Sequence, residues 1–299
     1  MAKGNAERIR ITSVKEDALL LDWLFLFLND KSKQTVKSIL RSGQVHVNGR
    51  IVTQFNYALK VGDKVEIEMV RQEKKSPHPM MEIVYEDADI VVINKKSGLC
   101  TIAVPNAPQI ENAYHIVDQY VKIAGGPKAR IFIVHRLDRD TSGLLMFAKT
   151  SRAQNILRHH WDEMVLDRLY VAVLEGKMQK MSGVVKSYLM ENPNTFKVYS
   201  TKNPAGKFAI THYRILQQNE QYALAELDLE TGRKNQIRVH MSDIGHPIAG
   251  DEKYGGKTDP IERMCLHAFK LKFTHPITRK IIDLETPIPV EFKNLCKER

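Results

Sequence analysis

From Glu82 onward the chain is a succession of short apolar runs of strand length, and only three segments there carry helical periodicity. The strand-like runs are Glu82–Tyr85, Ile90–Asn94, Ile131–Val134, Leu144–Ala148, Tyr170–Leu174, Ala209–Leu216, Ala223–Leu229, Leu266–Phe273 and Ile281–Leu284. Ala113–Ile123, Arg152–Met164 and Lys234–Ile244 read as helices. Strands that outnumber helices without alternating with them argue against a doubly wound fold. They favour an α+β fold, with a mixed, mainly antiparallel sheet and flanking helices.

A charged, proline-containing stretch, Arg71–Pro79, separates this region from a smaller N-terminal piece. The expected organisation is a module over 1–70, a linker over 71–80 and a larger domain over 81–299. In the module, Asp17–Leu28 and Ser32–Ser42 predict two helices, the second with Ser32 as N-cap and Gly43 as stop. Val45–Val52 alternates around Asn48-Gly49, the pair that two-residue hairpins prefer, and Val65–Met69 closes the module as a strand.

Charge then narrows the partners. The formal net charge is +10, and through Lys75 the chain carries 14 Lys and Arg against 9 Asp and Glu, half of that excess. A basic surface favours polyanions because each neutralised phosphate releases counterions. Lys33, Lys37 and Arg41 recur at helical spacing on the second helix and suit a phosphate-facing surface, although a solvated helix face would look the same.

Three separated cysteines, Cys100, Cys265 and Cys296, form neither a disulfide framework nor a Cys-x-x-Cys pair, so a reducing cytoplasm is expected. The apolar run Ala18–Leu28 contains Asp22 and falls short of the roughly 20 residues that span a bilayer. Gly256-Lys257-Thr258 ends like a phosphate loop, but Gly250 sits one residue too far upstream. The histidines show no ligand spacing, and no dinucleotide fingerprint or nucleophile elbow is present. No metal and no cofactor are therefore expected.

One loop is chemically rich. His135-Arg136-Leu137-Asp138-Arg139-Asp140-Thr141-Ser142 lies between the apolar runs Ile131–Val134 and Gly143–Phe147. Polar groups presented from the ends of rigid strands are where sites are built. Read from charges alone, the loop is a structural ion-pair turn, with Asp138 held by Arg136 or Arg139.

The loop resembles the His-Arg-Leu-Asp-x-x-Thr-Ser-Gly motif of the RluA family of pseudouridine synthases. Three further segments resemble that family in order: Asn94–Leu99, Arg168–Gly176, and Thr231–His240 followed by Gly245–Asp251. Lys37–Gly49 is similar to the RNA-binding module of ribosomal protein S-four. The resemblance implies a small S-four-like α/β RNA-binding module followed by a catalytic domain that isomerises uridine to pseudouridine. Large-subunit (23S) ribosomal RNA is the expected substrate, with transfer RNA second. A non-catalytic RNA-binding ribosome-assembly factor is the rival from another class.

Residue roles follow from the same resemblance. Asp138 is expected to be the nucleophile, acting at the sugar or by promoting elimination. Arg238 would be its cationic neighbour, and Tyr170 the ring that stacks on the flipped uracil and moves the C5 proton. Arg136 would fill the vacated base stack. His135, Thr141, Arg233 and Gln236 complete the base-flipping and RNA-binding set, with Ile237 packing beneath. A monomer needing no cofactor is expected. Lys96 stands where the family carries proline and Asn235 where it often carries histidine. Both are expected to bear on loop shape or substrate preference rather than on activity.

Overall fold

The computed structural model describes residues 9–41, 44–69, 78–103 and 109–298. The chain divides into two compact units, Met1–Lys75 and Ser76–Arg299. Residues 70–77, most of the expected linker, and Gly43, the expected helix stop, lie outside the described residues.

The first unit comprises β1 (Ile9–Ser13), β2 (Ala18–Leu19), α1 (Leu20–Phe27), α2 (Lys33–Arg41), β3 (Val45–Val47), β4 (Arg50–Ile51), β5 (Ala58–Leu59) and β6 (Lys64–Glu68). Leu20, Leu24 and Leu28 recur at four-residue spacing and pack with Val36, Leu40, Val45, Val65 and Ile67 into one core. Ser32 caps α2, its hydroxyl accepting the Thr35 amide at 3.1 Å. Asn48 and Gly49 both adopt positive φ (51° and 78°), which two-residue hairpin turns require. Asn48 also bonds Asp63 and the Lys64 amide, tying that turn to β6. The first helix begins at Leu20, later than the sequence pattern indicated, because Ala18–Leu19 pairs with Ala58–Leu59.

The second unit opens with β7 (Met81–Glu86), β8 (Ile90–Lys95), α3 (Ala113–Gly125), β9 (Phe132–Ile133) and β10 (Ser142–Ala148). Then come α4 (Ser151–His159), α5 (Trp161–Met164) and the long central strand β11 (Val165–Glu175). The chain continues through β12 (Ser182–Glu191), β13 (Val198–Thr201), β14 (Lys207–Gln218), β15 (Tyr222–Leu229) and α6 (Gln236–Asp243). It ends with β16 (Leu266–Thr274), β17 (Ile281–Glu285) and α7 (Val290–Leu295).

Among the described residues these strands form one sheet of eleven, ordered β13-β12-β14-β15-β11-β16-β10-β8-β7, with β17 on β16 and β9 on β10. Every residue of β10 is buried, as expected of a strand covered on both faces. Leu145 and Phe147 pack toward α3, and Leu144 and Met146 toward Leu157 and Met164 of α4 and α5. The mainly antiparallel sheet with flanking helices is thus the fold of this unit. Arg152–Met164 is two helices rather than one, broken at His160. The sequence pattern overlooked β12 and β13, whose residues are largely exposed or half-buried and so lack a strong apolar alternation.

One junction departs from the antiparallel rule. β10 and β16 run parallel, with Ser142 opposite His267 and Gly143 opposite Ala268. The site is built at that seam.

Candidate active site

Gly143, Ala268 and Tyr170 are register partners across β10, β16 and β11. Gly143 has φ +114°, and a Cβ there would lie 2.2 Å from the Ala268 carbonyl oxygen, so only glycine permits this approach. The register between β11 and β16 slips at Leu169/Tyr170, leaving Phe269 unpaired with β11. Such a bulge bends the strand and redirects a side chain. Here it falls at Tyr170, which lines a cleft of about 990 Å³ at the sheet's parallel seam.

His135, Arg136, Asp138, Thr141, Tyr170, Arg233, Gln236, Ile237 and Arg238 all line this one cleft. They come from the β9–β10 loop, the central strand and the start of α6, far apart in the chain. Cationic side chains outnumber acidic ones on the walls: Arg136, Arg158, Arg168, Arg233, Lys234, Arg238 and Lys270 against Asp138, Asp162 and Glu191. The cleft therefore presents a positive wall to a polyanion.

The loop that carries Asp138 is held by its backbone. The Thr141 amide donates to the Asp138 carbonyl at 3.2 Å, closing a tight turn. The Thr101 hydroxyl donates to the Leu137 carbonyl (2.6 Å) and accepts the Leu137 amide (3.2 Å). Beneath the turn lies Lys95, fully buried, whose Nζ donates to the carbonyls of Lys96 (3.0 Å), Leu99 (2.8 Å) and Arg139 (2.9 Å). Three carbonyl acceptors satisfy all three ammonium protons. Burial still pushes the Lys95 ammonium down to about 8, against the pull of Asp140. Ser97 donates to the Asp140 carbonyl at 2.7 Å, while the Asp140 carboxylate pairs with exposed Arg139.

Asp138 itself is about one-third exposed to the cleft and faces Arg238, whose Nη1 lies 3.4 Å from Oδ2. Arg238 is fixed from behind: its Nε and Nη2 each donate to Asp251 at 2.7 Å, a bidentate pair with a fully buried carboxylate. Its guanidinium also stacks on the Tyr254 ring, 4.7 Å from the centroid. Burial alone would weaken its charge, but the hydrogen bonds and charge of Asp251, with the charge of Asp138, raise its pKa above the usual arginine value.

The remaining side chains divide by use. Arg136 is exposed at the cleft mouth. His135 Nε2 accepts the Met146 amide at 2.9 Å, and its ring lies 4.9 Å from that of Trp161. Burial, reinforced by Arg168, pushes His135 down to about 3, so it is neutral. Gln236 is buried and bonded at both ends, accepting from Thr231 and the Arg233 amide and donating to Ile210 and Thr211 of β14. It pins the Thr231–Arg233 turn to the sheet. Arg233 donates to the Phe208 carbonyl (3.1 Å), and Ile237 is buried in the main core. Burial pushes the Tyr170 phenol up to about 12. Lys33 and Lys37 are exposed on α2 of the other unit, and the side chain of Arg41 lies outside the described part.

Sequence reasoning had assigned no role to Asp251, Lys95, Thr101 or Trp161. Asp251 closes the Gly245–Asp251 segment and Lys95 sits in Asn94–Leu99, so both were within reach of the motifs. Asp87, Asp89 and His275 also cluster, away from the cleft. His275 Nδ1 accepts the amides of Ile277 and Thr278, so that nitrogen is already engaged, and Nε2 lies 2.8 Å from Asp87 Oδ2.

Among the described residues, no helix is long and apolar enough to cross a membrane. Residues 89–243 match the family model for RNA pseudouridylate synthase. The chain is 36% identical to the RNA pseudouridine synthase YhcT of Bacillus subtilis, over 99% of this chain and 98% of the relative. It is likewise 36% identical to ribosomal large subunit pseudouridine synthase D of Pasteurella multocida, over 90% of this chain and 87% of that one. Among solved structures, human RNA pseudouridylate synthase domain containing 1 aligns with TM-score 0.55 and 26% identity, covering 69% of this chain and 83% of the human one. The cleft around Asp138 thus lies within a fold, a family model and a set of relatives that agree, and the chain belongs to the RluA-type family of RNA pseudouridine synthases.

Proposed function

We propose that the chain isomerises specific uridines of large-subunit ribosomal RNA, with Asp138 as the nucleophile. The observation that carries the reading is the Asp138–Arg238 pair, anchored from behind by buried Asp251, in one cationic cleft that Tyr170 also lines. The rRNA assignment is supported by the name of the Pasteurella multocida relative, ribosomal large subunit pseudouridine synthase D, which a second relative, 34% identical, from Vibrio parahaemolyticus shares.

The reaction breaks the bond between uracil N1 and ribose C1′ and forms one from C5 to C1′. The C5 proton leaves and N1 gains one, so atoms balance without an added reagent. A stacked uridine must first be flipped out, which costs a few kcal/mol. Arg136, flat and cationic at the mouth, suits the vacated place in the stack. The flipped base would then lie against the Tyr170 ring. Asp138 acts while ionised, at C1′ or by promoting loss of the base, and Arg238 supports that charge. With a phenol pushed up to about 12, Tyr170 stays protonated near neutrality and is suited to hold or pass a proton. We further propose that the first unit is an S-four-like RNA-binding module, on the strength of exposed Lys33 and Lys37 along α2.

The test is tritium release from transcripts labelled at uridine C5. Release from a large-subunit rRNA transcript, with none from transfer RNA, supports the reading; release from transfer RNA alone overturns the substrate assignment.

A further inference from the structure

We infer that Asn235 is the residue that holds the Asp138 carboxylate in its reactive orientation, through a relay that begins at Tyr254. The inference rests on Asp138 being the nucleophile. The sequence reading gave Asn235 only a bearing on loop shape or substrate preference; the geometry gives it a more direct part.

Asn235 is nearly buried and sits between the Tyr254 hydroxyl and Asp138. The Tyr254 hydroxyl already accepts the Val198 amide at 3.1 Å and has one proton to give. If the Asn235 oxygen faced Asp138, an acceptor would oppose a carboxylate, and the amide nitrogen would waste a donor on a hydroxyl with a proton to offer. The opposite orientation satisfies every group. Tyr254 donates to Oδ1 at 2.8 Å, and Nδ2 donates to Asp138 Oδ2 at 2.7 Å and Oδ1 at 3.2 Å. Asp138 thus receives a short hydrogen bond from the amide on one side, closer than the 3.4 Å contact to Arg238.

The backbone explains how one residue reaches this point. Asn235 is the N-cap of α6, in the left-handed region at φ 53° and ψ 21°. Asparagine tolerates that conformation better than most residues. The cap position turns the side chain away from the helix toward the loop, while Gln236 and Arg238 follow in the first turn. Tyr254 serves both arms at once: its hydroxyl orients Asn235 and its ring backs Arg238. Asn235 is accordingly a positioning residue, acting through Asp138.

Two substitutions separate this account from simple space-filling. Asn235→Gly removes the amide and suits a left-handed N-cap, so folding is retained. Asn235→Asp keeps the volume and the acceptor for Tyr254 but sets a second carboxylate against Asp138. In single-turnover pseudouridine formation, Asn235→Gly should slow the reaction by about 10-fold or more, with RNA Kd within about twofold, because a hydrogen bond to the ionised carboxylate is lost. Asn235→Asp should be slower than Asn235→Gly at neutral pH, the gap closing as pH falls and the two carboxylates share a proton. Tyr254→Phe should slow the wild-type chain but add nothing in the Asn235→Gly background. If Asn235→Asp outperforms Asn235→Gly, or the Tyr254→Phe effect persists unchanged in that background, the relay is wrong. Asp138→Asn is run alongside. Activity in that variant overturns the nucleophile assignment itself, whereas a dead Asp138→Asn with a full-rate Asn235→Gly overturns only the relay.

Discussion

Arg238 grips Asp251 more tightly than it meets Asp138: two 2.7 Å hydrogen bonds fix its Nε and Nη2 on the fully buried carboxylate, and Nη1 lies 3.4 Å from Asp138. The guanidinium is thus pre-set before substrate arrives. A cation already oriented needs no reorganisation when charge develops near it.

Asp251 should therefore matter to the rate although it is not among the residues lining the cleft. Asp251→Asn keeps the shape but removes the charge and one acceptor. We expect turnover to fall about 10- to 100-fold, on the order of 1.4–2.7 kcal/mol of barrier, with RNA Kd nearly unchanged. Asp251→Ala should also cost stability, ~3–5 kcal/mol for breaking a buried pair. Single-turnover kinetics and thermal melts read the two effects, and an Asp251→Asn rate equal to wild type would contradict this role.

Lys95 makes a pH prediction with two opposite signs. Its ammonium, pushed by burial to about 8, loses one donor as pH rises through that value, so the turn that carries Asp138 loosens and activity falls. Stability moves the other way on this group's account. The unfolded lysine keeps its proton to its ordinary 10.5, so between about 8 and 10.5 the unfolded state binds more protons and stability rises with pH. Lys95→Met should abolish both dependences. Rate–pH and melting–pH curves for the two proteins, compared as ratios, check this.

Gly143 should not tolerate a side chain. A Cβ would meet Ala268 backbone atoms at 2.2–2.7 Å, with no flexible side chain to give way. Gly143→Ala should destabilise the second unit by at least ~2–3 kcal/mol and misplace Tyr170 through Ala268. Chemical denaturation measures the first and residual turnover the second.

The first unit makes an electrostatic prediction. Replacing Lys33 and Lys37 by glutamine should weaken RNA binding and flatten the log Kd against log salt line by about 1–2, if both meet phosphates. An unchanged slope would remove them from the interface.

How much of this was legible beforehand depended on what each residue does. The alternating or continuous apolar runs of β8, β10 and β15 could be read because both faces of those strands are buried to a large extent. β12 and β13 could not, since their exposed and half-exposed positions carry serines, tyrosines and Lys186 among the apolar residues and so blur the period of two. The parallel seam between β10 and β16 was invisible because it rests on only two residue pairs, 125 positions apart in the chain. At the site, motif resemblance nominated side chains that reach the cleft. It gave Asp251 no role and Asn235 only a bearing on loop shape or substrate preference, because orienting other groups is a property of three-dimensional hydrogen bonding. Gln236 shows the converse: nominated for RNA contact, it spends its amide on Thr231, Arg233, Ile210 and Thr211.

The central claim is that Asp138 is the group that acts on the sugar. The direct measurement is single-turnover tritium release from C5-labelled rRNA by the Asp138→Asn chain, paired with its RNA Kd. We predict release below detection with Kd within a few-fold of wild type; release at a rate approaching wild type would contradict the account.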